Sequence, residues 1–290
     1  MKQVIIVADS TADVPKAMVE EYGIHIVPMR LSFGNETFVE GVDITVEEFY
    51  DRLSKSRELP TTSQTSPSQY VEVYRNLMQQ YPGSSIVSIH ISSGMSGTYQ
   101  SALLAKTMIE EERGEDTDIT VIDSLCATYG FGLQVVLAAR MANAGASVEA
   151  IKAEVDRVGK ARQLYFLVDV LEYLQKGGRI GKAAAILGTL LNIKPILSVD
   201  DEGVIYAVDK VRGHKKAVSR VIELFMKDYG DQKDINIAVC DCVNPEGAEE
   251  ILRLMGEHFT IHEVVRTSIG AVVGTHVGPG TVATFIWPAE

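Results

Sequence analysis

The chain has 290 residues, long enough for two domains, and its 46% hydrophobic content can fill well-packed cores and excludes a disordered polypeptide. Its 27 Lys and Arg stand against 39 Asp and Glu, a net charge of −12 with His neutral. Such an acidic surface works against nucleic acid and anionic membranes as non-specific partners, so a nucleic acid partner is not expected.

Gln3–Ala8 is a short β-branched run near the start and reads as a central strand. The polar turn Asp9-Ser10-Thr11-Ala12-Asp13 follows, with Pro15 suited to the first turn of the next helix. Ile24–Met29 and Leu31–Phe33 read as a second extended segment, with Thr37–Glu40 returning as a hairpin arm. Thr45-Val46-Glu47-Glu48 is a capping box that opens a helix through Leu53. Pro60–Ser68 holds three Thr, three Ser and two Pro in nine residues, which makes it a loop, with Ser66 capping a helix over 67–80. That loop is either plain connection or a hydroxyl-rich wall for an oxyanion.

Ser85–Ile91 is a second buried strand, and Thr98–Glu112 a helix. Between them lies Ser92-Ser93-Gly94-Met95-Ser96-Gly97, a turn dense in hydroxyls and glycine. It reads either as a capped helix start or as an anion cradle built from helix-end amides. Asp118–Ile122 is a further strand ending at Asp123, followed by helices over 130–144 and 147–161. Strand and helix alternate, so residues 1–162 are expected to form an N-terminal α/β domain with a mostly parallel sheet and flanking helices. Ligands of such sheets sit at the carboxyl ends of strands, the edge where Asp9, Ser92 and Asp123 fall.

Residues 163–290 are expected to form a mixed, α+β-like domain. It opens with a strand over 163–168 and a short helix stopped by Gly177-Gly178. Lys182–Ile193, rich in Ala and Leu, reads as an apolar helix, and 194–199 with 204–208 as a hairpin around Asp201-Glu202-Gly203. Helices over 215–229 and 246–258 and strands over 235–239, 261–265 and 281–287 complete it.

Lys176–Lys182 has the glycines and cations of a phosphate loop, but Gly177 and Gly181 enclose three residues rather than four and Ala183 stands where a magnesium-binding hydroxyl belongs. Gly94-Met95-Ser96-Gly97 is a near miss of a nucleophile elbow, its second glycine one position early. A serine hydrolase acting on acyl esters, with Ser96 as nucleophile and Asp123 or Asp169 with His276 as its partners, is therefore the alternative reading. Val273–Thr281 carries three glycines and a proline around His276, a close-approach loop whose imidazole would be tunable near neutral pH. Lys210–Lys216 is a cationic cluster where a helix start disfavours cations, which fits anion recognition or simply a solvated helix start. No His, Asp, Glu or Cys spacing reads as a metal site, and Cys240 and Cys242 share one strand face. The N-terminus shows no secretory leader and no apolar run reaches membrane-spanning length, so a reducing, cytoplasmic setting is expected.

Taken together, Asp9–Asp13, Thr61–Gln64, Ser92–Ala102, Leu171–Gly181, Lys194–Leu197 and Gly274–Gly280 resemble the DegV family of bacterial fatty-acid-binding proteins, in the family's order along the whole chain. Thr65 stands where the family often has proline. The resemblance implies two α/β domains with a long-chain fatty acid between them, its tail in an apolar tunnel. It implies a carboxylate held by Thr62 and Ser96, with Ser63, Ser93 and Gly94 nearby, and His276 as the glycine-loop histidine. Arg212 and His276 would serve phosphate or partner recognition. It implies the role of those members that are non-enzymatic carriers in phospholipid metabolism and present the fatty acid to a separate fatty acid kinase, which forms the acyl phosphate, with no catalytic residue, metal or cofactor of the carrier's own; a lipid sensor that does not pass its ligand on is the other binding role. Transient membrane contact is compatible with that role.

Overall fold

The computed structural model describes residues 2–115, 117–188 and 193–289. The chain divides into two compact units, Met1–Thr45 with Thr62–Lys160, and Val46–Thr61 with Ala161–Glu290.

Strands of the N-terminal half are β1 (Val4–Asp9), β2 (His25–Val27), β3 (Arg30–Phe33), β4 (Glu36–Val39), β5 (Thr61–Ser63), β6 (Ser85–His90) and β7 (Ile119–Asp123). Its helices are α1 (Lys16–Tyr22), α2 (Val46–Lys55), α3 (Pro67–Gln80), α4 (Thr98–Arg113), α5 (Tyr129–Asn143) and α6 (Val148–Ala161). Every residue of β1 and of β6 is buried, the pattern of strands covered on both faces. They form the middle of a parallel sheet of order β2–β1–β6–β7. Alternate residues Ile5, Val7 and Ile86 meet Tyr70, Tyr74 and Leu77 of α3 and Ala102, Ala105 and Ile109 of α4 in one core. Each fully buried large apolar side chain of this kind stabilises the fold by about 1.5–3 kcal/mol. Helix α3 starts as the sequence dictates, Ser66 accepting from the Gln69 amide in a complete capping box with Pro67 in the first turn. Helix α5 packs on the 310 turn Ser10–Ala12 after β1 closely enough that a Cβ on Gly132 would lie 2.3 Å from the Ala12 carbonyl oxygen. Strands β4, β3 and β5 form a separate small sheet in that order.

The second unit adds β8 (Gln163–Leu167), β9 (Ile193–Val199), β10 (Ile205–Arg212), β11 (Asp234–Asp241), β12 (Thr260–Ser268) and β13 (Val282–Pro288). They make one sheet of order β10–β9–β8–β13–β11–β12, antiparallel except for the β11–β12 pair. Helices α7 (Glu172–Lys176), α8 (His214–Tyr229), α9 (Pro245–Gly256) and α10 (Ala271–Val277) belong to this unit. Val218, Val221, Ile222 and Phe225 of α8 and Ile251, Leu252 and Met255 of α9 bury against Ile235, Ile237 and Ile286.

Three expectations change. Residues 46–61 group with the second unit, because the Tyr50 hydroxyl donates to the Ile269 carbonyl at 3.0 Å and lies against Gly274. The apolar helix expected over Lys182–Ile193 is a 310 helix at Gly181–Ile186, Ile193 already belongs to β9, and residues 189–192 lie outside the described residues. The glycine loop around His276 is helical through Val277, with Gly278 ending α10 at φ +77°.

Candidate functional site: a hydroxyl-lined strand edge

In the first sheet the carboxyl ends of β1, β6 and β7 lie side by side, Ala8 opposite Ile89 and His90 opposite Asp123. The chain steps from β1 outward to β2 on one side and reaches β6 on the other, so the switch of direction falls between β1 and β6. Asp9 occupies that point. Its carboxylate accepts from the Ile91 amide at 3.0 Å and the Thr11 amide at 3.2 Å, is bonded by the Thr11 hydroxyl, and meets His90 Nδ1 at 3.1 Å. His90 continues to Ser88 through Nε2 at 2.7 Å, and the Tyr74 hydroxyl donates to Ser88 at 2.9 Å, while the Tyr70 hydroxyl lies 3.2 Å from His90 Nδ1. All of these side chains are fully buried. Burial pushes the Tyr70 and Tyr74 hydroxyls above their ordinary range, Tyr70 further through the charge of Asp9, so both remain protonated donors.

This buried network fixes the start of the Ser92–Gly97 turn. Asp123 fixes its other side, accepting from the Ser93 amide at 3.1 and 3.3 Å and from the Leu125 amide at 3.0 Å. The Gly94 amide donates to Ser92 Oγ at 3.1 Å, and the Met95 and Ser96 amides donate to the Ser92 carbonyl at 3.0 Å each. The amide cradle expected of the Ser92–Gly97 turn is corrected for residues 93–96, because the Ser93 amide is taken by Asp123 and the Gly94, Met95 and Ser96 amides are spent on Ser92. Gly94 shapes the turn rather than offering its amide. Side-chain hydroxyls remain for a ligand: Ser93 Oγ makes no hydrogen bond among the described residues, and Ser96 Oγ is 2.9 Å from Thr98 Oγ1. Neutral hydroxyls at a strand edge can donate to a carboxylate.

The Thr61–Gln64 segment meets the start of α4 through Gln64. Gln64 Nε2 donates to Ser101 Oγ at 3.1 Å, and its side-chain amide lies over Gly97, where a Cβ would sit 2.0 Å from Gln64 Oε1. Thr62 and Ser63 are thus carried on a strand whose end is pinned to the start of α4. The role of Gln64 has no local signal in the sequence, since its contact spans 37 positions. Tyr99 likewise carries no local signal; partial burial and the Asp123 charge raise its hydroxyl above the ordinary value.

His276 and Arg212 both lie in the second unit. His276 stands on the last turn of α10, its Nδ1 so close to Gly177 that a Cβ there would lie 2.3 Å away. Burial, then the positive charge of Arg179, lower its pKa to about 4, so it is neutral at neutral pH rather than poised there. The glycines flanking it are demanded by the unit's own side chains: Gly278 meets the Tyr173 ring and Gly280 the Asp169 carboxylate. Arg212 ends the edge strand β10, exposed and without an ion pair among the described residues, just before the α8 N-terminus at His214.

Among the described residues the partners of Ser96 Oγ are the Thr98 hydroxyl and amide, neither of them a base for a Ser96 nucleophile. An Asp–His–Ser arrangement does exist in this unit, Asp9–His90–Ser88, but it is sealed from solvent and excludes Ser96. No group of three or more His, Cys, Asp or Glu among the described residues could hold a metal ion, and no described helix is long and apolar enough to cross a membrane.

Residues 3–289 match a family model described as an uncharacterised protein of the DegV family. The chain belongs to the DegV family. A DegV domain-containing protein of Caldanaerobacter subterraneus is 37% identical, covering 98% of this chain and 99% of its own. Among solved structures, a DegV family protein from Thermus thermophilus described as fatty acid binding superposes with a TM-score of 0.90 at 32% identity, covering 99% of this chain and 100% of that one. DegV from Bacillus subtilis, described as a fatty acid binding protein, gives 0.87 at 35% identity with both chains covered completely. The family resemblance and the fold class, a mostly parallel first sheet followed by a mixed second one, are borne out.

Proposed function

We propose that this chain binds a long-chain fatty acid, its carboxylate held by hydroxyls of Thr62 and Ser96 with Ser63 and Ser93 beside them, and acts in the cytoplasm as a carrier without catalysis of its own. The observation that carries the reading is the pinning of the Thr61–Gln64 segment onto the Ser92–Ser101 segment at the switch point of a parallel sheet, in a chain whose solved relatives are described as fatty acid binding. A site made of neutral donors also suits an acidic protein, because it needs no local excess of cations to hold one anion. Presentation to a separate fatty acid kinase, with acyl-phosphate formation there, follows as the finer proposal. The exposed Arg212 cluster and His276 are the candidates for recognising the kinase or the phosphate.

The test is direct. Protein purified from a bacterial host is extracted with organic solvent and the lipid fraction weighed by mass spectrometry; delipidated protein is then titrated with oleic and stearic acids. Near-stoichiometric fatty acid and saturable binding are expected. No fatty acid in either arm sinks the reading. Loaded protein incubated with a bacterial fatty acid kinase and ATP should yield an acyl phosphate trapped by hydroxylamine. Hydrolysis of acyl esters by the chain alone would restore the Ser96 alternative.

A further inference from the structure

Gly97 is not a glycine for conformational reasons. Its φ of −75° and ψ of 6° suit any residue, and it is the N-cap of α4 without contributing a capping side chain. What excludes a side chain is Gln64: a Cβ would lie 2.0 Å from Oε1, 2.7 Å from Cδ and 2.9 Å from Nε2. The flat amide therefore rests on the Gly97 backbone, and its N–H reaches Ser101 Oγ at 3.1 Å one turn into the helix. Ser101 is itself buried, and its own amide donates to the Gly97 carbonyl at 2.9 Å, so the amide is seated on a fixed surface. Gln64 directly follows β5, where side chains alternate between faces. Thr62, two residues earlier, is the half-buried residue of β5, between the exposed Thr61 and Ser63.

We infer that Gln64 is a positioning residue: by seating its amide on Gly97 and Ser101 it sets the spacing between the Thr62 and Ser96 hydroxyls that the fatty acid carboxylate needs. The inference rests on the fatty-acid reading. Thr62 stands two residues before Gln64, and Ser96 immediately precedes Gly97, so a shift at the clamp moves both donors. A carboxylate spans its two donors with little tolerance, because hydrogen bonds weaken steeply with lost alignment.

The test uses the full delipidated chain, oleic acid as probe, and the dissociation constant and dissociation rate as readouts, with the melting temperature of unliganded protein as reference. Gln64→Ala, Gly97→Ala and Ser101→Ala should each weaken binding by about three- to tenfold, the equivalent of one ordinary hydrogen bond, chiefly through faster dissociation. Gly97→Ala acts only by expelling the Gln64 amide, so the Gln64→Ala/Gly97→Ala pair should bind no more weakly than Gln64→Ala alone. Gln64→Met, which fills the space over Gly97 without an N–H, should match Ser101→Ala. A purely stabilising Gln64 would lower the melting temperature and leave the dissociation constant of folded protein unchanged, and that result overturns the inference, as does additivity of the pair. Wild-type protein that binds no oleic acid overturns the fatty-acid reading and this inference with it; wild type that binds, with Gln64→Ala binding equally, overturns this inference alone.

Discussion

Asp9 Oδ2 and His90 Nδ1 lie 3.1 Å apart with both side chains fully buried, joining the ends of the two central strands. The same Asp9 oxygen receives the Ile91 amide, the last backbone donor before the hydroxyl turn. Removing the acceptor leaves the Ile91 and Thr11 amides and the imidazole facing an empty, water-poor space. Asp9→Ala should therefore destabilise the fold by about 3–5 kcal/mol, because several buried donors lose their acceptor at about 1–3 kcal/mol each. Asp9→Asn keeps the shape but turns an N–H toward donors, and about 2 kcal/mol is expected from the lost acceptor. Urea unfolding of the delipidated protein measures both; a loss below about 1 kcal/mol in Asp9→Ala would show that the network contributes little to stability.

The hydroxyls proposed for the carboxylate answer to a simpler experiment. Thr62→Ala and Ser96→Ala each remove one hydrogen bond to a charged group, worth about 1.5–3 kcal/mol. Dissociation constants for oleic acid should rise by roughly ten- to a hundredfold for each. Ser96→Ala also frees the Thr98 amide, which Ser96 Oγ accepts at 3.3 Å, so a small loss of helix-start stability accompanies it. The Thr62→Ala/Ser96→Ala protein with wild-type affinity would move the carboxylate elsewhere.

What the chain disclosed in advance was whatever has a local signal. β1 and β6 announce themselves as apolar runs because a strand covered on both faces needs no alternation. The β9–β10 hairpin shows in its Asp201-Glu202-Gly203 turn, and α3 in the Ser66 cap. Residues governed by distant partners stayed hidden. Gly274 read as a loop glycine, yet it sits inside α10 because the Tyr50 hydroxyl occupies the place of its Cβ, 224 positions away in sequence by the difference of the two numbers. The turn at 92–97 gave its hydroxyls to sequence reading but not the use of its amides, which depends on where Asp123 falls across the sheet. Gln64 is the same case: its meaning is a glycine and a serine on another element.

His276 supplies a pH signature with a definite sign. Its pKa is lowered to about 4 in the folded chain against an ordinary 6.5, by burial and then by Arg179. Above pH 6.5 both folded and unfolded chains hold it neutral, and it adds no pH dependence. As pH falls below 6.5 the unfolded chain takes up a proton that the folded chain refuses, so stability drops, and the drop is complete below about 4. The full loss amounts to about 3 kcal/mol for this one group. Urea unfolding at steps from pH 7 to 4 should show a shallower decline in His276→Gln than in wild type. Parallel curves would mean that the imidazole titrates normally in the folded state.

Val243 is held at φ +53°, in the left-handed region that a β-branched residue avoids, and its side chain is 64% exposed. Its neighbours impose this geometry: the Asn244 amide donates to Asp241 at 2.7 Å, the Asn244 side chain to the Gly280 carbonyl at 2.9 Å, and the Cys242 amide to the Thr281 carbonyl at 2.9 Å. With little side-chain burial to lose, relieving the backbone should outweigh any lost contact. Glycine removes the strain but loosens the unfolded chain, which returns about 0.5–1 kcal/mol of the gain. Asparagine tolerates the left-handed region without that entropy, so Val243→Asn should stabilise by about 1 kcal/mol and exceed Val243→Gly, while Val243→Ala stays close to wild type. Denaturant midpoints order the three variants. A Val243→Asn protein less stable than wild type would mean that the valine side chain makes a stabilising contact worth more than its strain.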